Sequence, residues 1–449
     1  MGITGLLTFL SSAKKNNKDI IDLRGKVVII DLLYVLHQKI IGKKKHNSQT
    51  FNNGGDNITH FHILLRYITG LLEREIRPII VVDTKAPVEK TITIENRKQQ
   101  TVKIEDSDEI EEKQTIIDYK TIKKCIEFLK NLGITVIISD GEADPDCAML
   151  ANRYKNIIAG IVSNDSDMLL YNAPSMINIS FGTKLDNYVS YSEYNIDDVM
   201  KYLFKLSYDY RYEYKLKYKP FTQEDFINFS IMLGTDYHID NIIDDTINIT
   251  NKDNKNINTL EKIEKLFKLF TLNDYSVENT IEYITKYNKE EFIKPNGELD
   301  VYNYHVPEDY LNIWKKIKNI YCNPKITYVD NYMIDDYGHM NIQKIKDSLG
   351  NIDDEYKEYV INSLIKIKKG HMLFKSMGKI NDEFSSSFRS YRLKYGQKQF
   401  RIEEDNGFYE STKSNFKKIF DMDKYEKICK PSNDWIFVNN NNRKIKKYN

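Results

Sequence analysis

Four short apolar runs constrain this chain more than any other feature, because each leads directly to acidic residues. Lys26–Ile30 runs into Asp31 and Pro78–Val82 into Asp83; Thr135–Ile138 precedes Glu142 and Asp144, and Ile158–Val162 precedes Asp165 and Asp167. Between the runs, Phe61–Leu72, Tyr119–Leu132 and Cys147–Tyr154 space their apolar residues as helices do. Short β-branched runs alternating with helical stretches predict an α/β fold with a mainly parallel sheet flanked by helices. Open sheets of this kind bind ligands beyond the carboxyl ends of their strands. Six acids are therefore expected to face one crevice. A seventh, Asp236, follows the helix-like FINFSIML, where Gly234 can end the helix and turn the chain.

Seven ionised carboxylates in one crevice repel and raise one another's pKa values, so such a cluster persists only if cations neutralise it. Carboxylate oxygens select hard ions, Mg²⁺ first and Mn²⁺ as the alternative. Two such ions roughly 3.5–4 Å apart form the clamp used for in-line displacement at phosphodiesters. The absence of a Ser–His or Cys–His pairing is no objection, since phosphoryl chemistry needs positioning and charge stabilisation more than a protein nucleophile. Asp and Glu number 65 in 449 residues, so one D-x-D alone says little; five acidic motifs, each at a strand or helix end, say much more.

Composition sets the outer bounds. A net charge of +1 neither demands nor excludes a nucleic-acid partner. Cys125, Cys147, Cys322 and Cys429 lie far apart, without zinc-site or redox spacing, and read as reduced thiols. No apolar run approaches a membrane span and the first residues lack the order of a secretory signal, so a soluble, intracellular protein with no membrane partner is expected.

MGITGLLTFL, VVIIDLLYVLHQ, RPIIVVDTKAP, GEADPDCAML, IVSNDSDMLLYNAP and IMLGTDY together resemble the flap-endonuclease and XPG family of structure-specific 5′ nucleases over roughly residues 1–240. The resemblance implies a PIN-like nuclease fold and assigns Asp31, Asp83, Glu142, Asp144, Asp165, Asp167 and Asp236 as ligands of two metal ions. It places Lys90 and Arg97, seven positions apart on one expected helix face, as cations gripping the scissile phosphate. It brings Gly2 close to the site, where a side chain would crowd DNA, and places His37 where relatives stack a ring on a base. The expected divisions are an N-terminal nuclease region (1–105), a short arch or linker (106–120), an internal nuclease region (121–270) and a mainly helical C-terminal region (271–449). The implied partner is branched or 5′-ended DNA, the protein is expected to be a monomer, and its implied location is the nucleus, or a host nucleus or cytoplasm for a viral member. A 5′→3′ exonuclease or exoribonuclease acting on RNA, and a non-catalytic junction-binding scaffold, are the alternatives.

Several stretches depart from the family pattern. Leu32 and Leu33 follow Asp31 where relatives carry a small residue, and KIEDSDEIEEKQ makes the arch region short and acidic. After Asp236 the Gly-rich hairpin that grips duplex DNA is replaced by a glycine-free polar stretch, and no sliding-clamp motif is recognisable. Basic stretches lie elsewhere: Lys43–Lys45, and Tyr212–Lys219 and Tyr391–Arg401, which interleave lysine with tyrosine as strand-binding surfaces do.

Overall fold

The apolar runs form the middle of a seven-stranded sheet in a computed structural model that describes residues 2–45, 49–84, 90, 117–181, 189–237, 259–287, 292–293, 299–300, 306–307, 309–327, 329, 337–377 and 406–420. The strands are β1 (Lys15–Asp19), β2 (Val27–Asp31), β3 (Arg77–Val82), β4 (Thr135–Ile138), β5 (Ile158–Val162), β6 (Ser175–Ser180) and β7 (Ser190–Asn195), in the order β1-β7-β6-β5-β2-β3-β4. β2 pairs in parallel with both β3 and β5, and β5 with β6; β7 returns antiparallel along β6, and β1 antiparallel along β7. Every residue of β2 and β3 is buried, as strands covered on both faces require, which is why VVII and PIIVV are unbroken apolar runs. The polar strands SMINIS and SYSEYN lack that signature and go unread in the sequence.

The chain divides into two compact units, neither of them continuous in sequence. The first comprises residues 1–42, 76–116 and 136–330. Its helices pack beside the sheet around an aromatic cluster in which the Phe9, Phe229 and Phe267 ring centroids lie 4.9–5.6 Å apart. This anchors the N-terminal segment to the Gln223–Met232 and Thr259–Leu272 helices. The Ala143–Arg153 helix starts four residues before the expected Cys147. Pro145 is tolerated there because the amides of a first turn have no helical partner, and Asp144 and Asp146 complement the positive end of the helix.

The second unit comprises residues 43–75, 117–135 and 331–449. Here the Asp354–Met377 helix packs on Thr59–Glu73, and Ile342–Leu349 packs on Tyr119–Asn131. A Cβ at Gly370 would stand 2.8 Å from Leu72 Cβ, so glycine lets the first pair approach closely. His62 stacks on Tyr356 and Tyr359, and buried His371 lies with Nε2 2.7 Å from the Leu132 carbonyl. Among the described residues no helix is long and apolar enough to cross a membrane.

Candidate metal centre

Each acid is placed by the backbone beside it. Asp31 is the last residue of β2, opposite Val81 of β3, and its Oδ1 accepts the Tyr34 amide at 3.2 Å at the start of the Leu32–Lys45 helix. Asp83, just past β3, accepts the Ala143 amide in a short hydrogen bond. That bond ties the strand end to the first turn of Ala143–Arg153, the turn that carries Glu142 and Asp144. After β5, Ser163 Oγ accepts the Asp165 amide at 3.1 Å and Asp165 Oδ1 accepts the Asp167 amide at 3.2 Å. This turn holds the two carboxylates of NDSD together. Gly234, at φ +90°, ends the Gln223–Met232 helix, and two residues later Asp236 Oδ2 accepts the Gly2 amide at 3.3 Å.

Oxygens of Asp144, Asp165 and Asp167 all lie within 4.8 Å of one another, a group able to hold a metal ion. Burial drives the protonation behaviour of the cluster. It pushes the Asp31 carboxyl up to about 8, with Asp83 as the next cause, and Asp83 up to about 6 against the opposing Ala143 hydrogen bond. Asp144 and Asp167 are raised well above the usual carboxylate range, and Asp165 is raised too, in each case mainly by burial. Asp236 repels both Asp165 and Asp167. All seven acids thus belong to one electrostatic cluster. Asp167 Oδ2 accepts the Tyr321 hydroxyl at 3.0 Å, while its buried Oδ1 has no hydrogen-bond partner among the described residues. A buried carboxylate oxygen left unpaired beside two other acids is what a divalent cation would satisfy, so the donor set fits the expected metal.

Lys90 enters this cluster as a charge partner. Its ammonium forms a close ion pair with Glu142 and stands 4.5 Å from the Tyr237 ring centroid. Burial alone would lower its pKa; Asp167, Glu142 and Asp144 outweigh that and raise it, so the cation stays charged. Arg97 lies outside the described residues, as do the acidic stretch 103–114, the polar stretch after Tyr237 and the basic stretch 391–401. Gly2 is required for a reason the sequence did not expose: at φ +87°, a Cβ there would collide with Asp165 Oδ1 and stand 2.5 Å from Ser166 Oγ. The crowding that glycine avoids is with the acidic turn itself. His37 is half-buried on the Leu32–Lys45 helix, six residues and about 9 Å of helical rise beyond Asp31; it is not among the acids gathered here.

Three tyrosines missed in the sequence support the acids. Tyr237 donates a short hydrogen bond to Glu142, and its hydroxyl lies 3.0 Å from that of Tyr171. The Tyr321 ring sits 5.5 Å from Tyr237 and 5.2 Å from Tyr171. Tyr237 and Tyr171 adjoin the acidic motifs, in IMLGTDY and NDSDMLLYNAP, and that adjacency is their signal in the sequence. Tyr321 had no local signal in a chain with 32 tyrosines.

A mostly parallel sheet that gathers buried and half-buried acids beyond the ends of β2, β3 and β5 defines a protein of the carboxylate-lined α/β class. Residues 1–104 match the XPG N-terminal domain and residues 133–236 the XPG I-region. Flap endonuclease 1 of Methanococcus aeolicus is 28% identical over 249 residues, covering 52% of this chain and 69% of the relative. Flap endonuclease 1 of Theileria parva is 27% identical over 259 residues, covering 53% and 47%. The chain thus spans about half to two thirds of the length of the curated relatives it matches. Among solved structures, the catalytic core of Rad2 in complex with DNA substrate superposes with a TM-score of 0.53 at 18% identity, covering 81% of this chain and all of that one. Flap endonuclease-1 from Methanococcus jannaschii superposes at 0.52 and 18%, covering 80% and 96%. These likenesses establish the PIN-like fold. Two stretches of the chain, residues 1–104 and 133–236, thus carry the domains of the flap-endonuclease and XPG family.

Proposed function

We propose that this chain is a structure-specific 5′ nuclease that hydrolyses DNA phosphodiester bonds at flaps, junctions or 5′ ends, in replication or repair. One observation carries the reading: Asp144, Asp165 and Asp167 converge within 4.8 Å with a buried Asp167 oxygen left unpartnered. Burial opposes the ionisation of these acids, and a bound cation would offset that cost. The relatives named flap endonuclease and the Rad2 core solved with DNA support the choice of substrate.

Mg²⁺ is the proposed ion, two per site, with Mn²⁺ able to replace it. Asp144, Asp165 and Asp167 would hold one ion directly, and Asp31, Asp83, Glu142 and Asp236 would complete the set for two, some through water. When bound, the ions neutralise the acids and supply the charge that activates water and stabilises the leaving oxygen. The chain's own residues do the rest. The Asx-type turn at Asp165 and the Asp83–Ala143 bond fix the carboxylates on rigid element ends. Lys90, kept charged by its acidic neighbours, offers an ammonium to a phosphate oxygen and stabilises the negative charge that grows there during displacement. Gly2 keeps the approach to Asp165 clear.

The test is cleavage by purified protein of end-labelled 5′-flap, nicked-duplex, four-way-junction and single-stranded DNA in Mg²⁺, with Asp167→Ala as control. Metal-dependent incision that the control lacks establishes the nuclease and its substrate branch. Cleavage confined to RNA, or binding of junctions without cleavage, would overturn the reading in favour of an exoribonuclease or a scaffold.

A further inference from the structure

The Ile196–Glu213 helix of the first unit buries one stripe, Val199, Leu203, Ser207 and Arg211, at four-residue spacing. The stripe one position further on faces outward. On a surface helix it would ordinarily be polar; here it is Phe204, Tyr208 and Tyr212. Their rings form a ladder, with Phe204–Tyr208 and Tyr208–Tyr212 centroids each 6.4 Å apart and planes 27° and 17° from parallel. The ladder opens to solvent along its length: Phe204 is half-buried, Tyr208 48% and Tyr212 77% exposed. Of the eleven exposed large hydrophobic side chains among the described residues, five fall between Tyr208 and Tyr218. Tyrosine abundance alone does not concentrate them in one place.

The turn that follows is built rather than loose. Buried Arg211 donates from Nε to the Lys217 carbonyl at 2.8 Å and from Nη1 to the Thr271 carbonyl at 3.1 Å, and pairs with Asp274 at 2.8 Å. The Leu216 amide returns to the Arg211 carbonyl at 2.9 Å, with Lys215 in the left-handed region at φ +55°. Folded back in this way, Tyr218 meets Phe204 edge-on at 6.2 Å. From residue 201 to 219, Lys201, Lys205, Lys215, Lys217 and Lys219 are exposed, against the exposed acids Asp209 and Glu213. The surface therefore combines π-faces at regular spacing, a positive excess and a fixed backbone, which are the components of a stacking platform for an unpaired strand.

We propose that the Phe204–Tyr208–Tyr212 ladder and its flanking lysines bind single-stranded DNA, separately from the carboxylate cluster. The choice of DNA rests on the nuclease reading; the stacking surface does not. Bases stack on the rings, and the lysines neutralise the phosphates, without sequence preference.

The experiment is fluorescence anisotropy of the full chain with a labelled oligo-dT single strand in EDTA, comparing wild type with Tyr208→Ala/Tyr212→Ala and with Lys205→Ala/Lys217→Ala. These side chains are exposed, and an unchanged melting curve verifies each variant. The tyrosine pair should weaken binding roughly five-fold or more for each ring removed. The lysine pair should make the log–log salt dependence shallower by about 1.4. Unchanged affinity and salt slope in both variants would overturn the proposal. So would a self-association of wild type, seen by sedimentation, that the tyrosine pair abolishes, since the ladder would then be a self-interface. Failure of the nuclease reading would show separately, as absence of Mg²⁺-dependent cleavage, while the EDTA binding assay still decides the ladder.

Discussion

Two neighbouring regions of the same strands behave in opposite ways. Ile29 and Ile30 of β2, and Ile80 and Val81 of β3, are almost fully buried, and each contributes about 1.5–3 kcal/mol by leaving water. One or two residues further along, Asp31 is buried and Asp83 half-buried, and the loss of water there raises their pKa values and opposes folding. The strand interiors hold the fold together while their ends strain it. Stability and chemistry are thus divided between adjacent residues, and substitutions on either side of the division should separate them.

The largest effect is expected at the strained end. Asp167→Asn keeps the volume of the side chain and removes a charge that Asp165 and Asp236 repel. Cleavage of the preferred DNA substrate should fall on the order of 10³-fold, while the metal-free melting temperature stays level or rises. A drop in melting temperature would show that Asp167 supports the fold and would blur the division. Ile29→Ala tests the other side: Ile29 is fully buried in the middle of β2, and truncation should cost about 2–5 kcal/mol in denaturant unfolding. Activity per folded molecule should not change.

Protonation sharpens the contrast. Asp31 and Asp83 are raised from an ordinary 3.8 to about 8 and about 6. A raised folded-state value means that the native protein binds the proton more tightly than the unfolded chain. The resulting stabilisation is complete below pH 4 or so, and is lost as pH rises through about 6 and then about 8. In EDTA, the contribution of this cluster to the melting temperature should therefore fall from pH 5 to pH 8, and Asp31→Asn should flatten that slope. Saturating Mg²⁺ should restore stability most at the alkaline end, where the acids are ionised and bind it best. Equal Mg²⁺ stabilisation at pH 5 and pH 8 would break the link between the acids and the ion.

The division also explains what the sequence disclosed. β2, β3 and β5 were legible because covered parallel strands must be apolar, and the edge strand β4 because TVII is β-branched; the acids stood out as ends to those runs. β6 and β7 were not legible, because Ser175–Ser180 and Ser190–Asn195 interleave polar residues with the buried Met176, Ile177, Ile179, Tyr191 and Tyr194 and show no unbroken apolar run. Gly2 could be placed near the site by resemblance, but its conflict with Asp165 depends on a fold-level approach across more than 160 residues. The tyrosine ladder was half visible: YEYKLKYKP announced the lysines and tyrosines, whereas Phe204 and Tyr208 joined them only once the helix phase was known.

The smallest expected effect concerns the least legible residue. Tyr321 lies 154 residues from Asp167 in sequence, on the Tyr310–Cys322 helix outside the stretches that match the family domains. Its hydroxyl donates to Asp167 Oδ2 at 3.0 Å, and Oδ1 has no hydrogen-bond partner among the described residues. Tyr321 is thus a positioning residue: it fixes the carboxylate so that the unpartnered oxygen is the one presented. Tyr321→Phe keeps the ring packing against Tyr171 and Tyr237 and removes only that bond, so the stability loss should be about 1–3 kcal/mol. Mn²⁺ affinity, read by calorimetry without DNA, should weaken roughly 10-fold, as when a partner that orients a metal-ligating group is lost. A variant that melts lower yet binds Mn²⁺ as wild type does would make the hydroxyl a packing detail, and would place the boundary between stability and chemistry at Asp167 itself.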